Sequence, residues 1–278
     1  MNLNDIHSPA DIKGLSIDEL KKLAAMMREA LLGKLSIRGG HVGPNLGMVE
    51  MTIAMHYVFD SPTDKIVFDV SHQCYAHKML TGRMDAFTQP SHYGDVSGYT
   101  NPAESAHDFF TIGHTSTAVS LAGGLAVARD LRGDKENIIA VVGDGSLSGG
   151  EAFEGLDFAA TLRSNMIVIV NDNDMSIAPN EGGIYANLRL LRKSDGSAEL
   201  NFFKTMGFDY RYVSYGNDIA TLIEVFESVK DIDHPVVLHI CTQKGKGYAP
   251  AEAERERFHY TAPFDIATGN PRNIDENE

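Results

Sequence analysis

The chain has 278 residues, enough for one large α/β domain or two small ones, and its 43% apolar content supplies a sizeable core. A formal net charge of -14 argues against nucleic acid or an anionic membrane as partner, and it means that an anionic ligand needs a local counter-charge such as a metal ion. The two cysteines, Cys74 and Cys241, are too few for a disulfide framework, so a reducing cytoplasm is the expected setting.

The first residues, MNLNDIHSP, carry neither a basic start nor an apolar stretch, so no signal peptide is expected. The longest apolar runs are too short to span a bilayer, and a soluble protein follows. Ser16 and Glu19 then form a capping box, with Leu15 and Leu20 as a hydrophobic staple. Leu20, Leu23, Ala24, Met27, Leu31 and Leu35 recur at helical spacing until Gly39 and Gly40 end the helix. Four short apolar runs, 66–70, 138–142, 166–170 and 236–240, read as strands buried on both faces, and 208–213 as a further strand. Helical stretches at 116–131, 149–162 and 218–230 lie between them, and the Ala- and Gly-rich part of the first is expected to be deeply buried. Strand alternating with helix predicts a single α/β domain over 1–278, with an open, doubly wound, mostly parallel sheet, helices on both faces and a flexible tail at 270–278. Ligands of such sheets sit at the carboxyl ends of the strands.

The unusual residues cluster at those ends. Strand 138–142 runs into Gly143-Asp144-Gly145, with a second capping box expected at Ser148 and Glu151. Strand 166–170 runs into Asn171-Asp172-Asn173-Asp174-Met175. Asp144 and Asn173 are 29 positions apart, one strand–helix–strand crossover, which puts them on neighbouring strand tips at one edge of the sheet. Oxygen donors so placed suit Mg²⁺, which takes about six oxygens from one or two carboxylates, phosphate and water. Such an ion would also join an acidic protein to an anionic diphosphate. A Walker A loop is excluded, because the Lys244-Gly245-Lys246-Gly247 run has the wrong spacing. His72, Cys74 and His77 do not share a helix face and make a poor zinc set. Histidine is the side chain poised to move protons near neutral pH, and His41 and His114 stand in loops where a side chain can point into a cleft. His7, His56, His92, His107, His234 and His239 lack such company and read as structural or surface residues.

Gly143-Asp144-Gly145 followed by Asn171-Asp172-Asn173 resembles the thiamine diphosphate signature of the transketolase superfamily. The likeness is nearest to the N-terminal part of the 1-deoxy-D-xylulose-5-phosphate synthases and runs from the first helix to about Gly269. It is carried by GGHVGPNLGMVE at 39–50, DVSHQCYAHKMLTGR at 69–83, ESAHDFFTIGHTST at 104–117, VVGDGSLSGGEAFE at 141–154, VNDNDMSIAPN at 170–180 and TQKGKGYAPAE at 242–252. The resemblance implies thiamine diphosphate and Mg²⁺ as cofactors, with Ca²⁺ or Mn²⁺ able to substitute. It implies Asp144, the Asn173 side chain and the Met175 carbonyl as metal ligands. His72, Gly113, His114, Thr115, Gly143, Gly145, Ser146, Asn173, Lys244 and Tyr248 match cofactor-contacting positions, and Ile177 would press on the thiamine rings. His41, His114 and His259 match residues that face the substrate and assist proton transfer.

In that superfamily a glutamate from a pyrimidine-binding domain activates the cofactor, and Glu50, Glu151 and Glu154 do not resemble it. The polar NPRNIDENE reads as an end to the chain, so the expectation is a split enzyme. A partner subunit would carry the pyrimidine-binding and C-terminal domains, as an α2β2 assembly or on a homodimer core. The expected reaction passes a carbon fragment between sugar phosphates or α-keto acids, of synthase or transketolase type. The alternative is a non-catalytic, cofactor-binding regulatory subunit. Three departures from the family pattern bear on acceptor specificity: Ser71 in place of a glycine, Tyr215-Gly216-Asn217-Asp218 in place of Asp-Gly-His-Asp, and the whole segment 89–99.

Overall fold

In the computed structural model, which describes residues 2–272, three of the four apolar runs form the middle of a five-stranded sheet and the run from 66 forms one edge. The strands are β1 (Lys65–Phe68), β2 (Ile138–Gly143), β3 (Met166–Asp172), β4 (Asp209–Val213) and β5 (Pro235–Cys241), in the order β1-β2-β3-β5-β4. Every neighbouring pair is parallel. Parallel neighbours need crossovers, and helices supply them on both faces, so the central strands never meet water. Side chains alternate along each strand. Ile139, Val141, Ile167, Ile169, Val236 and Leu238 point into one layer, which the helices Ile17–Arg38, Val49–Val58 and Ile219–Val229 cover. Ile138, Ala140, Val142, Val168, Val170 and Val237 point into the other, beneath the helices Ala118–Arg132, Gly150–Ala159 and Gly183–Lys193. Strand β4 at the edge is only half-buried, as its DYRYV sequence implies.

The first helix starts where the capping box placed it. The Ser16 backbone N–H donates to Glu19 Oε2 at 2.8 Å and the Glu19 N–H donates back to Ser16 Oγ at 3.3 Å. The second capping box does not form. The chain after β2 makes a short 3₁₀ turn, Asp144–Ser148, the helix begins from Gly149, and the Ser148 hydroxyl is engaged by the Tyr185 hydroxyl at 2.8 Å. The helix Ala118–Arg132 is less buried than its small residues suggest. Ala118, Ala122 and Ala126 face the sheet, whereas Gly124 and Leu131 are exposed. Small residues allow close approach on one face and do not require it on the other.

At the far end Phe264 bridges to Pro271 and the Arg272 N–H donates to the Pro263 carbonyl, so 270–272 lie against 263–264. Residues 273–278, the rest of the expected flexible tail, lie outside the described residues. Among the described residues no helix is long and apolar enough to cross a membrane.

Candidate active site

The register of β2 against β3 sets the centre of the site. Gly143 pairs with Asn171, so Asp144 emerges beside Asp172 and Asn173. Asp144 is almost fully buried. Its Oδ2 accepts from the Met175 N–H and the Asn180 amide, each at 2.9 Å, and its Oδ1 accepts from the Gly145 N–H at 3.0 Å. Burial, and then the neighbouring Asp172 carboxylate, push the Asp144 carboxyl well above its ordinary range. Asp172 is neutralised from behind. Arg192 binds it through Nη1, and His239 Nε2 donates to it at 2.7 Å while His239 Nδ1 accepts from the Tyr210 hydroxyl at 2.8 Å. These contacts hold Asp172 below its usual range despite burial. Asp144 has no such cation. Asn173 Oδ1 is buried with no partner among the described residues. An uncompensated carboxylate beside an orphaned amide oxygen is a donor set that fits a hard divalent cation.

These tips open on a cleft of about 540 Å³. Every residue expected at the site lines it except Tyr248: His41, His72, Gly113, His114, Thr115, Gly143, Asp144, Gly145, Ser146, Asn173, Met175, Ile177, Lys244 and His259. Tyr248 is a correction. It is buried against Phe258 and Phe264, and its hydroxyl is spent on the Ile266 carbonyl at 2.9 Å, so it braces the segment after β5 and does not reach the cleft. Gly145 is required by close approach, since a Cβ there would fall 2.7 Å from Ser176 Cβ and 3.1 Å from its Cα. The loops from β2 and β3 therefore touch at the floor of the cleft. Thr115 Oγ1 and Ser146 Oγ are hydrogen-bonded at 2.7 Å on one wall.

Three histidines face one another at the other end. Ring centroids are 4.9 Å apart for His41 and His72, 5.3 Å for His72 and His259, and 5.6 Å for His41 and His259. Burial pushes His41 and His259 down to about 4 and His72 well below its ordinary value, so all three are neutral near pH 7. Lys244 Nζ donates to the Ser176 carbonyl at 2.5 Å and to His259 Nδ1 at 3.0 Å, which leaves the His259 proton on Nε2. His114 also lines the cleft, with Nδ1 on the Thr115 carbonyl at 2.7 Å.

Sequence reasoning missed the residues that hold this arrangement. Asn45 is fully buried, and its Nδ2 donates to the carbonyls of both His41 (2.7 Å) and His72 (2.8 Å), clamping two distant segments together. An asparagine between Pro44 and Leu46 gives no local sign of that role. Asp172 and Asn180 lie within the family motifs, but nothing local shows that Asp172 turns to Arg192 and His239 or that the Asn180 amide reaches Asp144. Two departures are also explained. Ser71 is left-handed (φ 66°), the region that favours glycine, and its hydroxyl compensates by donating to the Ile112 carbonyl at 2.8 Å and accepting from the Thr100 N–H at 3.0 Å. Asn217 sits outside the cleft, bonded to Gly47 O, Glu50 and the Gln243 N–H, so that departure is structural. Segment 89–99 does reach the site, with the Tyr99 ring 6.0 Å from His41.

The fold is that of the transketolases. A transketolase from Campylobacter jejuni superposes with a TM-score of 0.68 at 19% identity, covering 94% of this chain and 44% of that one. A transketolase from Leishmania mexicana gives 0.66 at 20% identity, covering 94% and 43%. The sequence goes further: the model of the 1-deoxy-D-xylulose-5-phosphate synthase family matches residues 3–200 and 194–242, and the chain belongs to that family. It is 43% identical to 1-deoxy-D-xylulose-5-phosphate synthase 1 of Geobacter sulfurreducens, over 96% of this chain and 48% of the relative. It is 45% identical to the synthase of Listeria monocytogenes, over 97% and 46%. The chain thus spans about half the length of the curated relatives it matches.

Proposed function

We propose that this chain is the diphosphate- and metal-binding half of a thiamine diphosphate-dependent enzyme that transfers a carbon fragment to a sugar phosphate. The observation that carries this reading is the pairing of Asp144 with the orphaned Asn173 oxygen on adjacent strand tips, in a cleft that ends in three neutral histidines. Asp144, Asn173 Oδ1 and the Met175 carbonyl would hold Mg²⁺. Thr115, Ser146 and Lys244 would bind the diphosphate, and Ile177, 59% exposed at the mouth, would meet the thiamine rings. Bound there, thiamine diphosphate supplies a carbanion equivalent that can add to a carbonyl. The chain's own work is to position and to move protons. His259 offers a proton from Nε2, His41 and His72 are neutral bases, and His114 lines the same cleft.

Synthase chemistry, joining pyruvate to glyceraldehyde 3-phosphate with loss of carbon dioxide, is favoured by the relatives' names. A transketolase-type transfer is the second reading, favoured by the divergent segment 89–99 beside His41. No glutamate lines the cleft among the described residues, so the carboxylate that activates the aminopyrimidine would come from a pyrimidine-binding domain outside them. The proposed arrangement carries that domain on a partner subunit, in an α2β2 assembly. Calorimetry with thiamine diphosphate and Mg²⁺, then turnover with and without the co-expressed partner, tests both parts. Absence of Mg²⁺-dependent cofactor binding overturns the site. Full turnover by this chain alone overturns the partner.

A further inference from the structure

Behind His41 lies a second cavity, of about 400 Å³, that shares this histidine with the cleft. Its charged lining residues are Lys34 and Arg38, and no carboxylate lines it. In a chain with a net charge of -14 this is an unusual concentration of positive charge. The two cations are four residues apart at the end of the helix Ile17–Arg38, so they share one face. A helix C-terminus favours cations, which accounts for the exposed Arg38. It does not account for Lys34, which is 7% exposed and makes no side-chain hydrogen bond or ion pair among the described residues. Its ammonium stands 4.2 Å from the Phe87 ring centroid. The ammonium is not sealed from solvent, so the three N–H donors that the cation–π contact leaves free are open to water or to an anion.

The nearby carboxylates are committed elsewhere. Glu104 is held by Lys78, Arg83 and the Ser97 N–H, and Asp95 by His92. Burial first, then Lys78 and Arg38, lower the Lys34 ammonium to about 8. Tyr75, Tyr93, Tyr99 and Tyr260 complete the wall, with the rings of Tyr99 and Tyr260 packed on His41.

We propose that this cavity is a phosphate-binding subsite, in which Lys34 and Arg38 take the phosphate end of a sugar phosphate whose reacting end lies at His41. The placement of the reacting end rests on the function proposed above, whereas the anion site does not. The cavity includes Tyr93, Gly94, Val96, Ser97, Gly98 and Tyr99, from one of the segments that depart from the family pattern. A phosphate site built there would give this chain an acceptor preference of its own.

The test is a calorimetric titration of the full chain with inorganic phosphate, with and without saturating thiamine diphosphate and Mg²⁺, on wild type, K34M and R38Q. Saturable phosphate binding that persists beside the cofactor and weakens about tenfold or more in each variant supports the subsite. R38Q alters an exposed side chain and carries the test if K34M fails to fold. No saturable binding by wild type, binding abolished by cofactor, or unchanged affinity in the folded variants overturns it. Failure of the cofactor to bind counts against the proposed function and leaves the effect of the variants on phosphate readable.

Discussion

Asn173 Oδ1 is buried, has no hydrogen-bond partner among the described residues, and opens on the same cleft as the Asp144 carboxylate, one strand away. An unpaired buried amide oxygen is costly unless a ligand completes it. Asp144→Asn and Asn173→Ala are therefore expected to weaken Mg²⁺-dependent binding of thiamine diphosphate by about 10–100-fold or more, as loss of metal-site groups does. Asn173→Ala also removes the orphan, so the metal-free protein should be no less stable. Calorimetry and denaturant unfolding read the two effects separately. An unchanged cofactor affinity in both variants would remove this pair from the site.

Asn45 is a positioning residue for His41 and His72. Besides its two carbonyl contacts, its Oδ1 accepts from the Tyr75 N–H at 2.9 Å. Asn45→Ala strands two carbonyls and one N–H in the interior, at a cost of roughly 2–4 kcal/mol. Asn45→Asp keeps the shape and the Tyr75 contact but cannot donate, and it should lie between wild type and Ala in stability. Both variants should lose turnover in the assembled enzyme by more than they lose cofactor affinity, because the diphosphate wall is untouched. Equal loss of the two would show that Asn45 merely holds the fold.

The sequence made the architecture legible because its signals are local. Continuous apolar runs marked β2, β3 and β5, and the Ser16–Glu19 pair marked the first helix. Asp144 and Asn173 could be placed together because one crossover separates adjacent parallel strands. What stayed hidden depends on long-range packing. Asn45 acts across 27 positions on His72, Arg192 neutralises Asp172 across 20, and the Ser148 hydroxyl goes to Tyr185 rather than to a cap. Tyr248 sits in the right motif, yet its ring turns toward Phe258 and Phe264, which no spacing rule encodes.

Ser71 trades backbone strain for two hydrogen bonds. Ser71→Ala keeps the left-handed backbone and leaves the Ile112 carbonyl and the Thr100 N–H unsatisfied, which should cost roughly 1–3 kcal/mol. Ser71→Gly loses the same bonds but removes the side-chain penalty of positive φ, worth about 1 kcal/mol, and should be the milder change. Denaturant midpoints order the two variants. If Gly is as destabilising as Ala, the strain is not relieved at this position.

The buried histidines set a pH window for stability. His41 and His259 titrate at about 4 in the folded chain because burial disfavours the imidazolium, against about 6.5 when unfolded. A depressed histidine contributes stability that is fully present above the unfolded value and is lost as pH falls toward the folded one. Between pH 7 and pH 5 the unfolded chain takes up protons that the fold refuses, so Tm should drop across this interval, before carboxylate protonation dominates. His72, His56, His77 and His107 are lowered for the same leading reason and add to the slope. Replacing His41 and His259 together by glutamine should flatten the pH 7 to 5 limb without abolishing it. An unchanged limb would mean that solvent reaches both rings and that they are not the neutral bases and acid the cleft requires at neutral pH.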